Sequence, residues 1–549
     1  MHIKKLIVKN FKKFSDRTFE FNKDLNLLVG DNESGKSTIL EAIEISLNCS
    51  YRGKPLSGEI KPDLFNNEAT QIYLDSDKSP QYLPTISIEL YVEDIPDYRG
   101  EVNSLKTDSD GASVTIKFDV DLQDAYDELI KTPDLIRTVP VEFYKFDWFD
   151  FGWNEIKFLN KKMSGLFVDP SRLHPSHGRN QYISRIINTT LKKEEQALLS
   201  VNYRQLKQHF NEQPQVKSIN DELDTDNVVT NKKLEVVADV SASRLETGMQ
   251  LAIDDVIFPQ IGKGEQNTIQ IKLAIQNRAK NVDVILLEEP ENHLSHTNLA
   301  KLVKYIGSKS ESKQLFIATH SSYVLNKLSL GKLCLINDGY TRLNDIDPKI
   351  ANRLKRLPGY DTLRVVLSQM VVLVEGPSDE LVLKRYYFDT KGNLPEDDGI
   401  DIIVVRGIGF KNYLAISTKV GTRVNVLKDN DGDYKKNIED YASFYDDCEN
   451  ISFFSADDNN LYSLEPTLIS ANNSTEAELD AYAKITLSVE TYNKYTLEAS
   501  LAEKESYLVN WYSDKGGAGK KKVDSAMRIF ESEKKIKYPE YLQKALCFE

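Results

Sequence analysis

At 549 residues the chain exceeds what one compact core holds, so two or three domains are expected. Its four cysteines, Cys49, Cys334, Cys448 and Cys547, contain no C-x-x-C pair, which argues against a zinc ribbon and a disulfide scaffold. The formal net charge of −14 sets the surface as a whole against nucleic acid, so such a ligand requires local basic patches or metal ions.

Ile3 to Val8 and Phe19 to Phe21 read as strands, and Leu25 to Val29 as a buried strand running into Gly30-Asp31-Asn32-Glu33-Ser34-Gly35-Lys36-Ser37. Ser37 to Leu47 has helical apolar spacing. Residues 50 to 85 look loop-rich, and strands return at Thr85 to Val92, Ala112 to Val120 and Val139 to Phe151. The last carries Phe143, Tyr144, Phe146, Trp148 and Phe149, which read as sheet core rather than as a base-stacking surface. A charged helical insertion over about 175–230 follows, suited to dimer contacts. Leu234 to Ala242 reads as a strand and Ile269 to Arg278 as a helix, with strands at Val282 to Leu287 and Gln314 to Ala318. Residues 1–340 thus form one expected domain, 341–369 a linker and 370–549 a second domain. That second domain has strands at Val371 to Val374, Ile402 to Val405 and Arg423 to Leu427, a helix over Ser378 to Phe388, and a helical, basic end. No apolar run approaches the roughly 20 residues that span a bilayer, and no signal-peptide pattern precedes the first strand, so a cytoplasmic protein without a membrane partner is expected.

The G-x-x-x-x-G-K-S loop lies between a buried strand and a helix, the setting in which backbone N–H groups cradle phosphate. Asn32, Gly35, Lys36, Ser37 and Thr38 are the expected nucleotide contacts, with Lys36 on the β- and γ-phosphates and Ser37 on Mg²⁺. Val284 to Leu287 then delivers two carboxylates, Glu288 for Mg²⁺ and Glu289 for the attacking water. His320 stands at a strand end, where a γ-phosphate sensor belongs.

A second constellation starts with Glu375 after the strand Val371 to Val374, and Asp379 at the start of the next helix. Asp429, Asp431 and Asp433 leave another strand end into a glycine turn, an arrangement that can converge on a divalent ion. A plain acidic turn is the competing reading. Lys515 to Lys520 mimics a phosphate loop, but no buried strand precedes it, and it reads as a basic glycine turn.

On these motifs residues 1–340 resemble an ABC-type ATPase of the SMC and DNA-repair group. Asn10-Phe11-Lys12 resembles the Asn-Phe-Arg step of that group, Gly262 to Gln266 its signature, and Pro290 to Leu294 its D-loop. The resemblance adds Lys12 and Gly264 to the nucleotide contacts. It also implies ATP sandwiched between two heads, hence a homodimer or higher homo-oligomer. Glu288 stands where that group usually has Asp. Val374-Glu375-Gly376-Pro377-Ser378-Asp379 and Asp429-Asn430-Asp431 resemble a TOPRIM domain, and the order of the two domains resembles the OLD (overcoming lysogenization defect) family. The fold so implied is α/β: an ABC/SMC-type ATPase head with a helical insertion, followed by a Rossmann-like TOPRIM domain. The activity so implied is an ATP-regulated, metal-dependent DNA endonuclease or nickase, with defence against phage as its setting. Its site would comprise Glu375, Asp379, Asp429, Asp431, Asp433 and Glu465 around Mg²⁺ or Mn²⁺, with Lys522 stabilising charge and Lys520 or Lys521 as alternatives. An ATP-dependent DNA-binding sensor with a regulatory TOPRIM module is the alternative. An accessory protein or a reverse transcriptase–RNA pair would be a further partner.

Overall fold

The computed structural model describes residues 1–133, 136–169, 192–225, 236, 252–278, 282–309, 313–321, 323–324, 328, 330–336, 339–343, 361–405, 409–513 and 518–546. The chain divides into two compact units, Met1–Leu328 with Lys332–Tyr340, and Ser329–Gly331 with Thr341–Glu549.

Two six-stranded sheets carry the first unit. One is antiparallel, in the order Phe14–Glu20, His2–Phe11, Ile86–Glu93, Ser109–Phe118 and Arg99–Gly100, with Tyr144–Asp150 also pairing Ser109–Phe118. The other runs Gly165–Val168, Val284–Glu288, Gln314–Ala318, Leu25–Val29, Leu333–Ile336 and Tyr340–Arg342, and the first five of these strands pair in parallel. Helix Lys36–Asn48 shares a core with both: Ile39, Ile43 and Leu47 cluster with Leu6 and Val8 of the first sheet and with Leu286 and Phe316 of the second. A helix so enclosed has to satisfy its buried carboxylates, Glu41 and Glu44, within the fold. Glu44 accepts from the N–H groups of Arg52 and Gly53 and from Ser50 Oγ, and burial pushes its carboxyl up to about 7.

The second unit is built on a four-stranded parallel sheet in the order Ile400–Val404, Met370–Val374, Arg423–Leu427, Ile451–Phe454. Met370–Val374 is buried along its whole length, as a central parallel strand should be. Helix Pro377–Lys391 packs against Ala518–Glu531 through a core containing Val382, Leu383, Ala526 and Ile529. That packing brings the end of the chain back onto the sheet.

Several expectations need correction. Residues 50 to 85 contain a helix, Asn67–Asp75, because the Asn66 side chain caps it by accepting from the N–H groups of Glu68 and Ala69. The strand expected over Val139 to Phe151 starts only at Tyr144, since Pro140 opens a 3₁₀ turn over Val141–Phe143. The second strand is Phe14–Glu20, longer and earlier than Phe19 to Phe21. The linker ends in a helix, Asp361–Leu367, whose Arg364 bonds Asp401 at 2.6 Å. Of the basic glycine turn expected over Lys515 to Lys520, residues 515–517 lie outside the described residues, and Ala518 to Lys520 open helix Ala518–Glu531. Among the described residues of the insertion are helices Lys193–Asn211 and Pro214–Thr225, while the strand expected over Leu234 to Ala242 lies outside the described residues apart from Val236. No helix among the described residues is long and apolar enough to cross a membrane.

Candidate nucleotide and metal sites

In the first unit, Leu25–Val29 ends on Gly30 and helix Lys36–Asn48 begins after Gly35. The loop between them is so close-packed that a Cβ on Gly30 would lie 1.9 Å from the Ile336 carbonyl oxygen. Gly35 holds φ +106°, and a Cβ there would meet the Phe14 ring at 2.4 Å. Both positions therefore demand glycine. Lys36 is buried and folds back over the loop, donating to the carbonyls of Gly30 at 2.8 Å and Asp31 at 2.7 Å. Burial pushes its ammonium below the usual lysine range, against the opposing pull of Glu289, Asp31 and Glu288. Asn32 is exposed on the loop, Ser37 half-buried and Thr38 buried in the first helical turn.

Glu288 ends strand Val284–Glu288, two places from Leu25–Val29 in the sheet. Glu289 takes φ +42°, donates its N–H to the Ala318 carbonyl at 2.8 Å and accepts from Asn292 Nδ2 at 2.7 Å. Its other oxygen stands 3.7 Å from His320 Nε2. Burial, and then the charge of Lys36, hold the His320 imidazole below its ordinary range. The loop lysine, the two glutamates and the histidine thus act on one another. Glu291 fixes the histidine's backbone: one carboxylate oxygen accepts from Thr319 Oγ1 at 2.7 Å and from the N–H groups of His320 at 2.8 Å and Ser321 at 3.1 Å.

Gly264 lies in the first turn of helix Lys263–Arg278, where a Cβ would come 2.3 Å from the His293 carbonyl oxygen. Asn267 donates to the carbonyls of Pro290 and Asn292 at 3.2 and 2.8 Å, so this helix start is seated on the segment that carries Glu291. Lys12, expected at the nucleotide, forms an ion pair with Glu41, which is wholly buried and also accepts from Arg52 Nε at 2.6 Å. Nothing in the sequence pattern pointed to Glu41 or Arg52. A carboxylate inside a helix is visible only through its partners, and these come from elements 11 and 29 residues away.

In the second unit, Glu375 follows strand Met370–Val374, and Asp379 sits in the first turn of helix Pro377–Lys391, accepting from the Gly376 N–H at 2.9 Å. Asp429 follows Arg423–Leu427. Glu465 lies in the first turn of helix Leu464–Ala471, buried, and accepts from Ser463 Oγ at 3.1 Å. Lys522, from helix Ala518–Glu531, places its ammonium 2.6 Å from Glu465. Burial pushes Asp379 and Asp429 far above the ordinary carboxylate range, and the charges of Glu375, Glu465 and, for Asp429, Asp379 push the same way. Lys522 opposes both shifts, and these carboxylates in turn hold it above the ordinary lysine range against desolvation. Glu375 is also raised by burial, with Lys428 3.6 Å away; that lysine carried no sequence signal.

Asp431 and Asp433 are exposed. Asp431 has φ +48° and its charge acts on Glu375, whereas Asp433 accepts from the Lys436 N–H at 3.2 Å and serves the turn. Asn430, just before Asp431, is buried and organises this loop, donating to the carbonyls of Ala456 at 2.8 Å and Asp458 at 3.0 Å. Lys521 lies over the Trp511 ring at 5.5 Å, so of the three neighbouring lysines it is Lys522 that reaches the acids.

An all-oxygen donor set of mutually repelling carboxylates suits a hard divalent cation such as Mg²⁺ or Mn²⁺. Among the described residues, ligating atoms of three side chains come within 4.8 Å of one another only at His2, Glu93 and Asp94, where the α-amino group and Lys4 already neutralise the acids. No three of the carboxylates around Lys522 bring their ligating atoms that close, and Glu465 is paired with the lysine.

Residues 1–246 match the family described as AAA ATPase domain, and residues 366–431 match the one described as overcoming lysogenization defect protein-like, TOPRIM domain. The chain is 20% identical to Endonuclease GajA of Bacillus cereus (strain VD045) over 457 residues, 79% of this chain and 76% of that protein. A stretch of 43 residues is 42% identical to the DNA replication and repair protein RecF of Acetivibrio thermocellus, covering 8% of this chain and 12% of that one. The SMC head domain from Thermotoga maritima aligns over 62% of this chain and 97% of its own at 13% identity, with a TM-score of 0.31.

Proposed function

We propose that this chain, a member of the OLD (overcoming lysogenization defect) family in which an SMC-like ATPase domain precedes a TOPRIM domain, is an ATP-regulated, divalent-metal-dependent DNA endonuclease. The observation that carries the reading is that Asp379, Asp429 and Glu465, from three separate elements, all act on Lys522 from a fourth, while Glu375, from a fifth, acts on Asp379 and Asp429. Asp379 and Glu465 are buried, Asp429 is half-buried and Glu375 opens to solvent; gathering these like charges costs stability unless a cation joins them, and that arrangement supports a metal site over an acidic turn.

Residues 1–340 would be the ATPase domain, with the insertion at about 175–230 as its dimer contact, and 370–549 the nuclease domain. Glu375, Asp379, Asp429 and Glu465 would hold the metal ions, with Asp431 completing the set and Asp433 at its margin. The bound metal would supply the positive charge that activates water and stabilises the leaving oxygen. Lys522 would release Glu465 and donate to the phosphate oxygen on which charge develops. In the ATPase domain Lys36 would exchange the loop carbonyls for the nucleotide phosphates. Ser37 and Glu288 would hold its Mg²⁺, Glu289 would orient water, and His320 would sense the γ-phosphate. Gly264 of a second copy would close the nucleotide site, and Lys12 would support it from behind through Glu41. Defence against phage is the setting we infer.

The wide spacing of the carboxylates favours a second reading, in which the TOPRIM module rests inactive until ATP, DNA or a partner such as an accessory protein or a reverse transcriptase–RNA pair draws it together. Incubating supercoiled plasmid with the purified chain and Mg²⁺ or Mn²⁺, with and without ATP, tests both. Nicked or linear product that EDTA abolishes supports the nuclease. Intact plasmid under every condition, with DNA retained without metal, supports the second reading.

A further inference from the structure

A cavity of about 740 Å³ lies in the second unit, walled by the end of edge strand Ile451–Phe454, helix Leu464–Ala471 and the start of helix Glu540–Ala545. Tyr434, Phe453, Phe454, Tyr538 and Tyr541 line it. The two lysines on its wall are paired, Lys537 with Glu478 and Lys544 with Glu540, both at 2.8 Å. An aromatic cavity whose cations are already neutralised selects a flat, uncharged ligand over a free anion. Its walls are continuous with the acidic cluster. The Tyr541 hydroxyl bonds Thr467 Oγ1 at 3.0 Å, Thr467 lies two positions after Glu465, and the charges of Asp429, Asp379 and Glu465 all act on that hydroxyl. Asn430, between Asp429 and Asp431, ties to the wall through the carbonyls of Ala456 and Leu461. Tyr434 immediately precedes a π-helical turn, Lys435–Glu439, in the same loop.

We propose that this cavity receives one unstacked nucleobase of the DNA strand whose phosphate lies at the acidic cluster. The proposal rests on the nuclease reading for its substrate class. A base drawn out of the helix stacks on the aromatic walls, and the cost of extruding it falls where it is already unpaired. The cavity thereby biases cleavage toward distorted or easily opened steps.

The test is binding, measured with Ca²⁺ in place of Mg²⁺ or Mn²⁺, so that the carboxylates hold a cation while the readout is binding rather than cleavage. A fluorescein-labelled duplex with a single-nucleotide bulge and the same duplex fully paired are titrated with the full chain by anisotropy. The wild type should bind the bulged duplex about tenfold more tightly. Ser470→Trp, at an exposed position on the cavity wall, should abolish that preference while leaving the melting temperature and the affinity for paired duplex unchanged. Tyr434→Ala should weaken the preference and Tyr434→Phe restore it. Equal binding of the two duplexes by the wild type, or an undiminished preference in Ser470→Trp, overturns the proposal. Plasmid that stays intact with Mg²⁺ or Mn²⁺ while the bulge preference persists removes the nuclease reading and leaves the base site standing.

Discussion

The phosphate loop and the acidic cluster solve the same problem, holding charge in a protein interior, by opposite means. The loop is local: eight consecutive residues, two obligatory glycines, and a lysine satisfied by the carbonyls of its own turn. The cluster is assembled from five elements between Glu375 and Lys522, and its carboxylates are held together against their own repulsion. The first is finished before ligand arrives. The second is a strained set of like charges whose stability depends on what cation joins it.

That contrast predicts how each site breaks. Replacing Glu375 by Gln should leave the fold intact and reduce plasmid cleavage by about a thousandfold, as loss of an electrostatic group that acts on the reacting centre does. Unchanged cleavage in this variant would assign the chemistry elsewhere. Lys36→Ala should weaken ATP binding by about a hundredfold in equilibrium titration, because the loop keeps its shape but loses its cation. Retained affinity would mean that the loop N–H groups suffice.

Lys12→Ala separates a structural from a nucleotide role. Leaving Glu41 with Arg52 alone should cost about 2 kcal/mol in denaturant unfolding, less than the roughly 3–5 kcal/mol of a fully broken buried pair. An unchanged midpoint with lost ATP binding would reverse the assignment. The smallest effect expected is a pH dependence. Asp379 and Asp429 have folded pKa values raised above their unfolded ones, so the metal-free protein is most stable when they are protonated. It loses that contribution as pH climbs from the ordinary carboxylate range through the raised values. The rise in Tm on adding Mg²⁺ should therefore be larger at pH 8 than at pH 6. A rise that shrinks with pH would argue that the cluster does not bind the ion.

The same contrast explains what was legible in the sequence. The phosphate loop, the strand ending in Glu288 and Glu289, and the acids at strand ends are sequence-local, because a buried strand followed by a polar turn leaves a visible pattern. Lys522 was legible only through family resemblance, since no local pattern says that helix Ala518–Glu531 packs on Pro377–Lys391. Arg52, Lys428 and Tyr541 left no trace, because their importance lies in tertiary neighbours alone. Helix Asn67–Asp75 was missed because one capping asparagine outweighed a composition that reads as loop.

The most direct test of the central claim is Asp429→Asn assayed twice, for ATP hydrolysis and for cleavage of supercoiled plasmid with Mn²⁺. The substitution removes one carboxylate from the cluster and leaves every residue of the phosphate-loop site as it is. Hydrolysis at the wild-type rate with cleavage abolished is the predicted result. Wild-type cleavage by this variant would contradict the assignment of the acidic cluster as the nuclease centre.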